Sequence, residues 1–262
     1  MKVEKKAINN IENIKKLNNY SSDIVERNIT CYNKNIIYIY LESVSSDDKI
    51  SDFFVQNVST LVKKKTCIFE DIYETLKNTI YNSHLTTSND IEEIFTFLAS
   101  GYTCIFIDGC KEAILVETKM SLDRGVTEAS TETVVRGPKD SFTENNAKNI
   151  GLIRKRIKDP NLYFDEITVG RRTKTKINVI YISDIVDNKK VYEIKKKVKK
   201  IDIDGILDSG YLRSFLEPTQ KASFPVFQST ERPDLACSHL LDGKIIIMVE
   251  NSPFVLVTPT VF

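Results

Sequence analysis

One order of events occurs twice in this 262-residue chain, and it limits what the chain can fold into. Ser88 opens a helix-length segment as a cap-type residue, and Gly101 closes it. The apolar run Ile105-Phe106-Ile107 follows, Asp108 turns the chain, and Ile114-Leu115 sits in a second apolar run. Moved on by 142 positions, Ser88 falls on Thr230, Leu98 on Leu240 and Gly101 on Gly243. At the same shift Ile105–Asp108 falls on Ile247–Glu250, and Ile114-Leu115 on Leu256-Val257. A second match, Ile36–Tyr40 with Val179–Ser183, stands at a shift of 143. Two separate matches at nearly one shift point to a single strand-and-helix unit built in tandem. The fold class expected is α/β (α+β mixed), with two similar subdomains, each a mixed sheet of hairpins covered by helices.

The division expected is a polar tail or short helix over 1–20, a first subdomain over 21–120, a connection over 121–140 and a second subdomain over 141–262. Apolar β-branched runs predict strands near 25–31, 35–42, 103–108 and 112–118, then near 161–169, 174–184, 244–250 and 254–258. Helical spacing predicts helices near 48–64, 69–82 and 89–99 in the first subdomain. In the second it predicts helices near 188–200, 204–216 and 231–241. The connection is rich in Thr, Ser, Gly and charge, with strand preference at Thr131, Thr133, Val134 and Val135.

Lys plus Arg number 37 and Asp plus Glu 36, a formal net charge of +1. That balance argues against bulk nucleic-acid binding and gives no reason to expect an anionic-lipid surface mode. Cysteines stand at 31, 67, 104, 110 and 237 without a C-x-x-C pair, and His84 and His239 are the only histidines. Neither a structural zinc nor a disulfide framework follows, and an odd count suggests a reducing compartment. No stretch reaches the roughly 18 apolar residues that span a bilayer, and the start lacks the apolar core of a secretory signal. Phosphate-binding, dinucleotide, serine-hydrolase and zinc-protease motifs are missing, so no catalytic residue, cofactor or metal site is predicted.

Two stretches carry the functional candidates. Within Thr131–Arg156, Ser141-Phe142-Thr143-Glu144 reads as a capping box opening a helix that ends before Asp159-Pro160. Ile150, Ile153 and Ile157 form its buried stripe. Arg154 and Arg156 stand in its last turns, where cations favourably oppose the helix dipole. Arg136, Arg154 and Arg156 are expected to pair with carboxylates, Glu132 and Glu144 foremost, at a subdomain junction. In the second stretch, Thr230-Glu231-Arg232-Pro233-Asp234 opens a helix with proline in its first turn. The lysine run over 195–200 alternates with Ile194, Val198 and Ile201, which makes the lysines a solvated helix face.

These stretches resemble the GerA family of spore germination proteins, specifically the soluble amino-terminal part of the receptor A subunit. The matching positions are Glu132, Arg136, Gly137, Pro138, Phe142, Glu144, Asn149, Arg154 and Arg156. They continue with Phe224, Pro225, Thr230, Glu231, Arg232, Pro233, Asp234, Gly243 and Pro253. The resemblance implies a non-enzymatic domain of a nutrient germinant receptor in the spore inner membrane, facing the cytoplasm. Receptor B and C subunits are the implied partners, with transmembrane helices expected after residue 262. A small nutrient, such as an amino acid or sugar, would bind in a cleft of this domain. Alternatively the domain is an assembly scaffold with no nutrient site, or a soluble regulator unrelated to spores. Glu250-Asn251-Ser252-Pro253 departs from the Asp-Gly-type turn expected there, although Asn tolerates the same left-handed angle.

Overall fold

The computed structural model describes residues 1–31, 34–52, 56, 71–80, 84–121, 132, 136–217 and 226–259. Two compact units emerge: Met1–Ser121 with Lys158–Pro160, and Leu122–Ile157 with Asn161–Phe262. Most of the expected connection lies outside the described residues, as do the strand candidates Thr131–Val135 apart from Glu132 and most of the helix predicted over 48–64.

The first unit runs α1 (Ala7–Leu17), β1 (Ile24–Cys31), β2 (Lys34–Leu41), α2 (Asp47–Ile50), α3 (Asp71–Thr79) and β3 (Leu85–Ser88), then α4 (Ile91–Ala99), β4 (Tyr102–Ile107) and β5 (Ala113–Glu117). The second runs α5 (Asn146–Arg154), β6 (Leu162–Val169), β7 (Thr175–Ile182), α6 (Asn188–Lys199), α7 (Ser209–Leu216) and β8 (Gln228–Thr230). It closes with α8 (Pro233–Leu241), β9 (Ile245–Val249) and β10 (Val255–Thr258). Strand order is β1-β2-β4-β5-β3 in one sheet and β6-β7-β9-β10-β8 in the other, the same topology twice. Register repeats too: Ser88 faces Ala113 on β5, and Thr230 faces Val255 on β10.

The sheets are antiparallel in every described pairing rather than mixed. The cause is a split β-α-β arrangement. Strand β3, helix α4 and strand β4 make a parallel crossover, but β5 folds back from β4 and inserts between the two strands. The second unit does the same with β8, α8, β9 and β10. Short polar β3 and β8 carry no strand signal in the sequence, where Ser88 and Thr230 read as caps.

Alternation along the central strands assigns side chains to two cores per unit. On β2, Ile37, Ile39 and Leu41 pack beneath α1 and α4, while Ile36, Tyr38 and Tyr40 pack on the α3 side. On β7, Ile180 and Ile182 join α5 and α8, whereas Ile177, Val179 and Tyr181 join α6 and α7. Asn178 replaces the pattern on the first of these faces; it is fully buried, and its side-chain amide has no hydrogen-bond partner among the described residues. The pairing Asn178↔Met248 matches Ile37↔Phe106, so Ile37 is its counterpart. That alignment is two residues from the match drawn on sequence, and a slip of two keeps every side chain on its own face.

Of the polar tail or short helix expected over 1–20, the structure has the helix, and it belongs to the core. Ala7, Ile11 and Ile14 are buried at helical spacing, and Val3 joins the same cluster. Gly101 and Gly243 show why both copies carry glycine behind their helices. They have φ of 89° and 74°, and an added Cβ would stand 2.9 Å from the Val44 carbonyl oxygen and 2.8 Å from that of Ile185. Asn251 takes the left-handed angle at φ 66°, where Gly109 stands in the first copy.

Because α1 belongs to the core, Ile14→Ala should lower the stability of the first unit by about 2–5 kcal/mol. Urea denaturation measures this, and a loss below about 0.5 kcal/mol would return the segment to the status of a tail.

Candidate functional site

The family-type positions that the structure describes all lie in the second unit, most of them around the start of α8 and along α5 and the segment before it. Thr230 ends strand β8 and is fully buried. Its hydroxyl donates to the Glu132 carboxylate at 2.6 Å and accepts from the Arg232 amide at 3.1 Å. The Glu132 amide in turn donates to the Glu231 carboxylate at 2.9 Å, and the Glu231 carbonyl accepts from the Phe142 amide at 2.8 Å. Glu231 is only 4% exposed. Glu132 and Glu231 therefore hold each other through side chain and backbone, and Thr230 ties Glu132 to the start of α8.

Arg232 occupies the N-cap of α8 without a side-chain cap bond. Its guanidinium instead grips Asp234 in the first helical turn through two bonds, 3.2 and 2.6 Å. Pro233 stands in that first turn, as its missing amide allows. In the first copy the corresponding turn is built from Ser88, whose hydroxyl accepts from the Asp90 amide at 3.1 Å, and Asp90 caps α4 directly.

Helix α5 starts later than the sequence suggests. Its N-cap is Asn145, which accepts from the Lys148 amide at 3.0 Å. The capping box is not formed: the Ser141 hydroxyl donates to the Phe142 carbonyl, and Glu144 is exposed. Asn145 wins because the preceding segment is held extended by Asn149. The Asn149 side chain, 1% exposed, accepts from the Thr143 amide at 2.8 Å and donates to the Thr143 carbonyl.

Of the three arginines expected to pair with Glu132 and Glu144, Arg156 takes a different carboxylate. Arg136 is exposed. Arg156 forks onto Asp140 at 2.7 and 2.6 Å and donates to the Leu152 carbonyl at 2.8 Å. Arg154 is fully buried, with its guanidinium 4.7 Å from the centre of the Phe164 ring. The signal for this was present: Arg154 stands four after Ile150 and three before Ile157, on the stripe read as apolar.

A second signal lies in the repeat of the two helices. Asn10-Ile11 and Ile14 with Lys15 recur 139 positions on as Asn149-Ile150 and Ile153 with Arg154. Asn10 is buried and accepts from the Glu4 amide at 2.7 Å while donating to the Glu4 carbonyl at 2.8 Å, the same clamp across the same six residues. Lys15 meets Glu26 at 3.0 Å on β1, where the second copy has Phe164 on β6.

Cys237 on α8 lies within the field of Arg156, Asp234 and Asp140, yet burial pushes its thiol up to about 12, far from a reactive thiolate. Among the described residues no group of three or more His, Cys, Asp and Glu side chains could hold a metal ion. The cluster spends its charges on each other and on the backbone, which fixes chain geometry.

Fold and cluster together define a duplicated α/β module whose second copy carries a buried, internally paired polar network. The chain belongs to the Bacillus/Clostridium GerA spore germination protein family, whose model matches residues 12–262. It is similar to spore germination protein KA of Bacillus subtilis, 34% identical over 97% of this chain and 47% of that protein. It also resembles the membrane protein YfkQ of the same organism, 32% identical over 97% of the chain and 49% of the relative. Among solved structures, the N-terminal domain of the A subunit of the Bacillus megaterium spore germinant receptor GerK3 superposes with a TM-score of 0.78 at 29% identity. The match covers 100% of this chain and 98% of that one. The chain spans about half the length of the curated relatives it matches, and among the described residues no helix is long and apolar enough to cross a membrane.

Two outcomes test the network. Burial pushes the Asp234 carboxyl up, but the Arg232 guanidinium outweighs it and leaves the group below its ordinary value. Stability from this pair is therefore fully present above the unfolded value of about 3.9 and is lost as pH falls through the lowered folded value. Arg232→Gln should raise the Asp234 midpoint in carbon-detected NMR titration; an unmoved midpoint would refute the pairing. Arg154→Lys keeps the charge but loses the planar stack on Phe164, and should cost about 0.5–2 kcal/mol in chemical denaturation. A melting curve identical to wild type would contradict a structural role for the guanidinium plane.

Proposed function

We propose that this chain is the part of a germinant receptor A subunit that senses or passes on the nutrient signal during spore germination. It faces the cytoplasm at the spore inner membrane and works with the receptor B and C subunits. What supports this reading above all is the end-to-end likeness to the N-terminal domain of the GerK3 A subunit, at an identity where more than fold is shared. The likeness to a protein described as a membrane protein, of which this chain spans about half, fits an attachment outside residues 1–262.

The cluster around Thr230 fits transmission better than chemistry. Glu132, Thr230 and Glu231 join a segment remote in sequence to the entrance of α8, and α8 packs directly on the sheet beneath. A displacement of the segment at Glu132 would therefore move α8, because buried hydrogen-bond partners cannot separate without leaving polar groups unsatisfied. In such a part the network is a rigid coupling, and the nutrient specificity can reside here or on a sister subunit.

The test places Thr230→Val in the full-length A subunit with its B and C partners in spores. The expected outcome is normal receptor abundance by immunoblot with a nutrient response reduced at least tenfold. Abundance falling in step with the response would instead mark the domain as an assembly scaffold. NMR titration of the isolated wild-type domain with amino acids and sugars separates sensing, which shifts resonances, from transmission alone, which does not.

A further inference from the structure

We propose that the outward face of α6 and α7 binds the surface of an anionic lipid bilayer. The inference rests on surface chemistry and stands apart from the signalling reading. Residues 188–200 contain seven lysines and one glutamate. Val191 and Val198 of α6 and Leu212 and Leu216 of α7 are buried in one core with Ile177, Val179, Ile245 and Ile247. Both helices thus cover the same face of the second sheet, and their outer faces look away from it in common.

On α6, Lys195 reaches Asp165 at 2.7 Å. Lys189, Lys190, Lys196, Lys197, Lys199 and Lys200 are exposed and form no ion pair with a described residue. Lys189, Tyr192, Lys196 and Lys200 follow helical spacing on the side opposite Val191 and Val198. Tyr192 is 66% exposed, with the Lys196 ammonium 5.8 Å from its ring centre. Across on α7 and just before it, Leu207, Tyr211 and Phe215 repeat every four residues and are 64%, 49% and 46% exposed.

The acidic groups nearby are mostly committed elsewhere. Asp187 and Asp208 cap α6 and α7, Glu217 pairs with Arg213, and Asp202 pairs with Arg171. Asp204 stands 3.9 Å from Arg172, leaving Glu193 as the exposed acid within α6. The overall charge of +1 conceals this concentration, because the compensating acids lie elsewhere on the chain.

Charge complementarity selects the occupant. Anionic headgroups attract each lysine close to them, tyrosine and phenylalanine favour the boundary between headgroup and acyl chain, and lysine stems extend along it. Protein interfaces, by contrast, are depleted in lysine at their centres. An exposed apolar stripe flanked by lysines that lack an ion pair among the described residues matches the bilayer.

The experiment uses the 262-residue chain with vesicles of equimolar phosphatidylglycerol and phosphatidylcholine, and with vesicles of phosphatidylcholine alone. Cosedimentation should show binding to the anionic vesicles, weakened by salt, and little to the neutral ones. Lys189→Gln/Lys196→Gln/Lys200→Gln should lower partitioning by about a hundredfold, since each lysine near the surface counts for roughly a factor of five. These positions are solvent-facing, and an unchanged circular dichroism melt verifies the fold. The chain has no tryptophan, so Tyr211→Trp supplies a single reporter whose emission should shift to the blue on anionic vesicles. Equal binding to neutral vesicles, indifference to the triple substitution, or an unshifted reporter would each overturn the proposal. Capture of an acidic protein by the same face without vesicle binding would overturn it as well.

Discussion

Burial of both faces of the central strands is the constraint from which the rest of each unit follows. All five residues of β9 are buried, as are Ile36 to Leu41 on β2. Such strands cannot lie with one face in water, so each sheet needs helices on two sides, and a chain segment must be found for each side. In the first unit that requirement recruits α1 from a sequence stretch whose lysines and asparagines look solvent-bound. Apolar residues at only three or four positions suffice when a waiting sheet face supplies the rest of the contact.

Tandem construction was legible where apolar runs carry it. The glycine–strand–turn–strand order from Gly101 and from Gly243 corresponds to one hairpin in each sheet, with equivalent register. Acidic residues after the strands perform one task in both copies: Asp108 accepts from the Asn35 amide and Glu250 from the Lys176 amide, tying strand ends together. Less legible was anything that depends on one polar side chain. Asn10 and Asn149 clamp the backbone six residues upstream, but an asparagine on a helix carries no periodic signal and is ordinarily read as exposed. The Ser141 capping box failed for the same reason. A motif of four residues competes with a buried side-chain clamp a few residues further on, and the buried bond costs more to lose.

Comparison of equivalent positions indicates which features are shared scaffold and which belong to the second copy. The Ser88 and Thr230 turns, the Asn clamps and the glycine ends are scaffold. At the base of α5, the half-exposed Lys15–Glu26 pair of the first copy has become the buried Arg154–Phe164 stack. At the entrance of α8, the capping Asp90 has become Arg232 held by Asp234. Both changes replace a local cap or surface pair with a guanidinium positioned by a planar partner. An arginine so held keeps its charge and resists reorientation.

Nearness along the chain and helix phase point to different surroundings for the arginines. Pairing was inferred by sign and nearness along the chain, which brought Glu132 and Glu144 to Arg154 and Arg156. Burial follows helix phase instead: Arg154 lies in line with Ile150 and Ile157, while Arg156 points off the stripe and takes Asp140 from the preceding loop. Phase likewise separates the lysines of α6. Lys195 turns toward β6 and is neutralised by Asp165, whereas Lys189, Lys196 and Lys200 turn outward together. A net charge summed over the chain has no phase, so it hides the face on which the uncompensated cations gather.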